Sequence, residues 1–191
     1  LFTGFQELAN DVTSRSQRVA LVNQAENLTQ DFNQLDQRLG EVRSQIEIEM
    51  ANTVDEGNHL INEIARLNQS IEQAENRSNA TANDLRDRRT SKLEDLAKIT
   101  HFQTTTSDDG ILSLHLEGET MIDGAQVMGT LELMPDEVGN LQAVLNANNI
   151  QKPVTQGRLG ALTAVRDETL SPLSNRLDQL ASEIVTQVND I

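Results

Sequence analysis

The chain contains no cysteine, no tryptophan and no tyrosine, and only three prolines in 191 residues. Without cysteine there is no disulfide, no thiol nucleophile and no thiolate metal site, although the redox compartment stays open. Aromatic content is 2%, carried by Phe2, Phe5, Phe32 and Phe102. That scarcity disfavours base stacking and aromatic-lined binding grooves. No run of about 18 apolar residues occurs, so no segment reads as a membrane-spanning helix. Basic charge is also scarce: 15 Lys and Arg stand against 30 Asp and Glu, a formal net charge of −15. Such a surface repels phosphate, and nucleic acid is excluded as a natural partner. The chain starts at Leu1 with no initiator methionine and no basic-then-apolar leader. We read it as a piece of a longer protein.

What is present is helical periodicity. From about Ser16 to Ala74 there is no proline, and apolar residues recur at steps of three and four. Leu28, Phe32, Leu35, Leu39, Val42 and Ile46 form one run; Ile64, Leu67, Ile71 and Ala74 close a second. This spacing predicts one apolar seam on one long helix. Such a helix would be roughly 85–90 Å long. A compact globule of this size has a radius of gyration near ~16 Å, so the sequence predicts a rod. Thr13 or Ser14 caps its start, after a short amphipathic segment over residues 1–14. Val42, Ile46, Met50 and Val54 are spaced by consecutive fours, a stutter. Gly57 follows and weakens the helix by about 1 kcal/mol relative to Ala. The middle of the long helix is therefore the expected place for a bend or a change of packing.

Asn76 to Asn83 is polar and ends the helix. A second helix is expected from about Ala82 to Ile99, with Leu85, Leu93, Leu96 and Ile99 inward, running antiparallel to the first. The period then changes. Ser107-Asp108-Asp109-Gly110 is a turn signal, and Ile111, Leu112, Leu114 and Leu116 alternate like a strand. Further turns follow at Glu117-Gly118 and Asp123-Gly124, around a short strand at Met121-Ile122. Ala125 to Met134 adds one more strand, giving a small antiparallel sheet of three or four. Pro135 to Gln156 admits one or two helical turns from Asp136 to Leu145. From Gly157, the residues Leu159, Leu162, Val165, Leu170, Leu173, Leu177, Leu180, Ile184 and Val188 trace a helical face, which Pro172 starts or kinks.

The predicted class is α+β and predominantly α. It is an elongated antiparallel helical bundle built on one long helix, with a small antiparallel β-hairpin or sheet subdomain. Residues 1–99 supply the long and short helices, 100–156 the β-rich part, and 157–191 a returning helix, all within one structural domain.

Chemistry is sparse. His59 and Glu63 lie four apart on one helix face but supply two ligands at most, so they read as a solvated polar pair. Asp108-Asp109-Gly110 lacks the alternating oxygens of a calcium loop. Asp84 and Asp87 form no glycosidase pair, because Arg88 and Arg89 stand beside them; a local polar network around Asp87 and Arg89 is expected instead. Gly157-Arg158-Leu159-Gly160 lacks the lysine of a phosphate loop. The sequence predicts no catalytic residue, no metal and no cofactor. Asn27-Leu28-Thr29, Asn76-Arg77-Ser78 and Asn79-Ala80-Thr81 fit the glycosylation pattern, at a frequency that chance explains in so polar a chain.

Five segments, in order, resemble one known family. Leu60 to Ile71, with Asn62, Ile64, Ala65, Leu67, Asn68 and Ile71, is similar to the "IN…IA.LN..I" stretch of the bacterial flagellar hook-associated protein 1 family. Asn83-Asp84-Leu85, then Asp87 and Arg89, resembles its "NDLLDQRD" motif. Asp109-Gly110 and Gly124 fall where the family has its "DG … LV.G" hairpin region. Gly160, Arg166 and Asp167 resemble "G.LGGLL..RD", and Leu180, Ala181, Val188 and Asn189 resemble its last helix. The chain departs from that pattern at Arg86, Arg88 and Thr90, where the family has an apolar residue, a glutamine and an acid. The resemblance implies a structural, non-enzymatic part of the hook–filament junction of the bacterial flagellum. It also implies extracellular placement, secretion by the flagellar type III export apparatus, and four partners: hook protein, a second junction protein, further copies of itself and an export chaperone. Self-association would need terminal segments outside this sequence, so the isolated chain is expected to be a monomer. The alternative from pattern alone is a generic coiled-coil interaction or stalk module of an adhesin or phage tail.

Overall fold

The computed structural model describes residues 1–78, 81–107 and 110–190. Helix α1 (Phe2–Asn10) precedes α2 (Arg15–Ser78), an unbroken helix of 64 residues. Ser14 caps α2: its hydroxyl accepts a hydrogen bond from the Gln17 N–H at 3.4 Å, satisfying one donor that a first turn leaves open. Helix α3 (Asn83–Ile99) follows. Strands β1 (Gln103–Thr106), β2 (Leu112–Leu116), β3 (Glu119–Asp123) and β4 (Gln126–Val127) form one antiparallel sheet in sequence order. Strands β5 (Gly129–Pro135), β6 (Leu141–Ala147) and β7 (Ile150–Pro153) form a second. The chain closes with α4 (Gly157–Ala164), a π-helical segment (Val165–Leu170) and α5 (Ser171–Asn189). The fold is α+β, mainly α.

Contacts divide the chain into two units. One comprises Leu1–Gln45 with Arg166–Ile191; the other is the continuous stretch Ile46–Val165. The continuous unit holds the core. Val54, Leu60, Ile61, Ile64 and Ala65 of α2 join Leu96 and Ile99 of α3, Leu159 of α4, and the inward residues of both sheets. The alternation read from sequence is present in β2, where Leu112, Leu114 and Leu116 are buried and Ser113 and His115 are half-buried.

In the discontinuous unit the seam is thinly covered. Leu21 is buried and Leu28, Phe32 and Leu39 are half-buried, while Leu35 and Val42 are exposed. On α5, Leu177, Ala181, Ile184 and Val188 are half-buried, whereas Leu173 and Leu180 are exposed. The inward stripe of α5 thus runs through Ala181 rather than Leu180.

Three expectations change. Residues 136–145 form no helical turn: β6 pairs along its whole length with β5, from Gly129 opposite Ala147 to Pro135 opposite Leu141. Leucine and alanine favour helix only weakly, and strand pairing outweighs that preference. The segment 125–134 divides, with β4 finishing the first sheet and β5 opening the second. The returning helix is not uniform. Its π segment ends just before Pro172, which occupies the first turn of α5, where a missing N–H costs nothing.

Gly57 has a packing reason. A Cβ there would meet Leu131 Cδ1 at 2.7 Å, and the neighbouring Asn58 clamps the same strand residue. Asn58 donates to the Leu131 carbonyl and accepts from its N–H, both at 2.8 Å. Gly40, by contrast, has nothing within 4 Å of a would-be Cβ. Gly40→Ala should therefore stabilise by about 0.5–1 kcal/mol through helix propensity. Gly57→Ala should be net destabilising, because overpacking costs about 1–3 kcal/mol. Urea denaturation of the two variants should give opposite signs; a gain from both would remove the packing argument.

Candidate functional site

The conspicuous polar feature lies where α2, α3 and the first sheet meet. Asn68 is buried on the inward face of α2, in register with Ile64 and Ile71. Its amide nitrogen donates to the carbonyls of Leu112 at 2.9 Å and Gly124 at 2.6 Å. Its amide oxygen accepts from Arg89 Nη1 at 2.8 Å. Arg89 is itself buried, and burial pulls its pKa down, with the Arg86 charge acting the same way. One side chain thereby ties two strand ends and a neighbouring helix to α2. A buried polar group without partners would cost a few kcal/mol, so the three bonds are a condition of this placement.

A second connection joins α2 to the start of α3. Arg86 donates to Glu75 from Nε at 2.8 Å and from Nη2 at 2.9 Å, and the Ala82 N–H also reaches Glu75, at 2.9 Å. The Arg86 hydrogen bonds, with that from Ala82, hold the Glu75 carboxyl down to about 2, from an ordinary 4.5. Gly110 lies against Arg86: its φ is +77° and a Cβ would meet Arg86 Nη2 at 2.5 Å. A folded-state pKa below the unfolded one means the unfolded chain binds more protons as pH falls. The pair's contribution is therefore present above about pH 4.5 and lost progressively toward pH 2. Thermal melts of the chain and of Glu75→Gln should differ near neutral pH and converge at about pH 2. A gap that persists in acid would contradict this.

The remaining signature positions fall as follows. Ile64, Ala65 and Ile71 are buried, and Leu67 and Leu85 are half-buried. Asn62 is exposed and donates to the Asn58 carbonyl at 2.7 Å. Asn83 opens α3, and Asp84 pairs with Arg88 at 3.2 Å. Asp87 is exposed, so the network expected around Asp87 and Arg89 takes another form, with Arg89 turned inward to Asn68. Asp109 lies outside the described residues. Gly157 has φ +71° and its Cα sits against the Ile99 carbonyl; Gly160 sits against the Thr155 carbonyl, with no room for a Cβ. Gly157 lets α4 start close to the end of α3, and Gly160 lets the chain before α4 fold back on its first turn. Arg158 then pairs with Glu49 and Glu56 of α2. Arg166 is buried and donates to Asp167 through Nε at 2.7 Å and Nη2 at 2.9 Å. Adjacent residues on a regular helix do not face one another, and here the π segment carries them. Val188 is half-buried, and Asn189 is exposed.

Sequence reasoning missed the Asn58 clamp, the Glu75–Arg86 pair and the inward turn of Arg89. Each depends on a partner distant in sequence, for which no local pattern exists. His59 and Glu63 do pair, at 3.4 Å, and Lys92 reaches Glu63 at 2.9 Å. Lys92 holds the Glu63 carboxyl below its ordinary range, chiefly through that hydrogen bond. Among the described residues no three His, Cys, Asp or Glu side chains are grouped to hold a metal, and no helix is long and apolar enough to cross a membrane.

Two grooves remain. In the discontinuous unit, Phe5, Leu21, Leu28, Ile184 and Val188 line an apolar groove of about 490 Å³. In the continuous unit, Arg66, Arg88 and Lys92 surround a groove of about 370 Å³ with Leu67 in its lining.

Comparison with known proteins bears on this arrangement. Flagellar hook-associated protein 1 of Salmonella typhimurium is 30% identical over 189 residues, covering 94% of this chain and 34% of its own length. The protein of the same name from Escherichia coli K12 is 27% identical over 189 residues, covering 94% and 35%. The solved structure of the flagellar hook junction protein FlgK from Burkholderia pseudomallei matches with a TM-score of 0.86 at 26% identity, over 98% of this chain and 35% of that one. The chain thus spans about a third of the length of these relatives. Residues 1–191 match, end to end, the family described as the helical domain of flagellar hook-associated protein FlgK, and the chain belongs to that family.

Proposed function

We propose that this chain is a structural part of the bacterial flagellum, within a protein that joins hook to filament and is needed for filament assembly. The observation that carries the reading is the end-to-end family match over residues 1–191. The 64-residue helix α2 and its buried polar ties suit a load-bearing role. A helix whose inward face is fixed by hydrogen bonds to strands and a second helix resists sliding, because every bond must break together. The signature positions act in this reading by holding the fold. Asn68, Arg89, Gly160 and the Arg166–Asp167 pair touch other parts of the chain.

In this reading the partners are hook protein, the second junction protein, further copies of the chain, and an export chaperone; the family match supports association with flagellar components. The place of action is outside the cell, reached through the flagellar type III export apparatus. The chain is not an enzyme in this account, and an assay against peptidoglycan should give no turnover. Excising these residues in frame from the parent gene should leave cells with hooks, without filaments, and with filament subunits in the medium. Normal filaments and swimming in such cells would overturn the proposal.

A further inference from the structure

In a chain of net charge −15, three cations and one acid, Glu63, line one groove, which leaves it net positive. Arg66, Arg88 and Lys92 stand on facing helices α2 and α3, with half-buried Leu67 at the base. Arg88 pairs with Asp84 and Lys92 with Glu63, while Arg66 has no ion pair among the described residues. Elsewhere the same continuous unit carries an exposed tip that is both acidic and apolar. The turn between β5 and β6 presents Val138, 81% exposed, beside the exposed acid Glu137. That tip is preorganised: the Asp136 carboxylate accepts from the N–H of Val138 at 2.9 Å and of Asn140 at 2.8 Å. A held knob loses little freedom on binding.

We propose that the Glu137–Val138 hairpin tip of one copy docks into the Arg66–Arg88–Lys92 groove of a second copy. Two acidic chains repel over most of their surfaces, so a contact between copies is favoured where a cationic groove meets an acid. Here the acid also carries an apolar residue to set on Leu67 and the aliphatic stems of the arginines. The contact joins two different patches, so it is head-to-tail. It propagates from copy to copy and closes only if the rotation between copies allows. Its area is small, and a single contact does not hold two free chains together at low concentration. The inference rests on the reading of the chain as part of a multi-copy assembly. The two fail separately, because the assay below uses the purified chain and filament assembly is read in cells.

The absence of cysteine supplies the test. Val138→Cys and Ser91→Cys, at exposed positions of the tip and the groove, are mixed in low salt under mild oxidation, one copy carrying a size tag. Mixed disulfide should exceed that of an Ile150→Cys and Ser91→Cys control by about tenfold. Arg66→Glu with Arg88→Glu in the groove copy should reduce it to the control, as should salt near 1 M, where the screening length is ~3 Å. Glu137→Arg in the tip copy should then restore it. A yield equal to the control, or one indifferent to charge reversal, would overturn the contact.

Discussion

Ile64→Asp should cost the continuous unit about 3–5 kcal/mol and lower its melting temperature by roughly 10–20 °C. Ile64 is fully buried, at 0% exposure, among Leu96, Ile99, Leu114 and Met121 of the common core. An aspartate there has two options. It stays ionised without a compensating cation, or it binds a proton and leaves a carboxylic acid without partners. Both are expensive, because the cluster that holds this position is apolar. Ile64→Val removes a single methylene and should cost about 1 kcal/mol, which separates the charge effect from lost packing. Differential scanning calorimetry on both variants decides the matter. Unchanged melting of Ile64→Asp would show that position 64 does not face the core.

The second large effect concerns Asn68. Asn68→Leu keeps the side chain's bulk but leaves the Leu112 and Gly124 carbonyls and the Arg89 guanidinium without their partner. The expected loss is about 3–4 kcal/mol, most of it from the stranded cation and acceptors rather than from the bonds themselves. Arg89→Met in the same chain removes the stranded charge. The double variant should then be more stable than the sum of the two single losses predicts, by about 1–3 kcal/mol. Denaturant titration of the four proteins closes this cycle. Strict additivity would mean that Asn68 and Arg89 do not act together.

How far the sequence disclosed this arrangement depends on the kind of contact. The long helix was legible because apolar spacing of three and four is a local property, and Ile64 and Ile71 are buried as expected. The same spacing included Leu35 and Val42, which are exposed, since periodicity marks a stripe without saying what covers it. Strand β2 was legible from its alternation. Strand β6 was not, because Leu141-Gln142-Ala143-Val144-Leu145 carries no strict alternation and its state is set by pairing with β5. Asn68 entered only through family resemblance, and Arg89 otherwise only as a surface partner of Asp87. A polar residue reads as surface until its partner is known; Asn68 lies 21 residues from Arg89 and 44 from Leu112. The division of the last helix left one local sign, Pro172, which marks where α5 begins but not the π segment before it.

The ordering of the two units along the chain has a temporal side. Ile46–Val165 is contiguous, whereas its companion draws on both Leu1–Gln45 and Arg166–Ile191. A chain emerging in sequence order delivers the residues Leu1–Gln45 well before Arg166–Ile191 exists. They must wait while some 120 residues pass, with an amphipathic stripe open to other chains for that interval. The middle can mature as soon as it is out; the flanks form one piece only once Arg166–Ile191 has followed it. Closing so long a loop makes the flanking piece the slow one. A chain laid out in this way keeps its flanking unit pliable until that second stretch arrives.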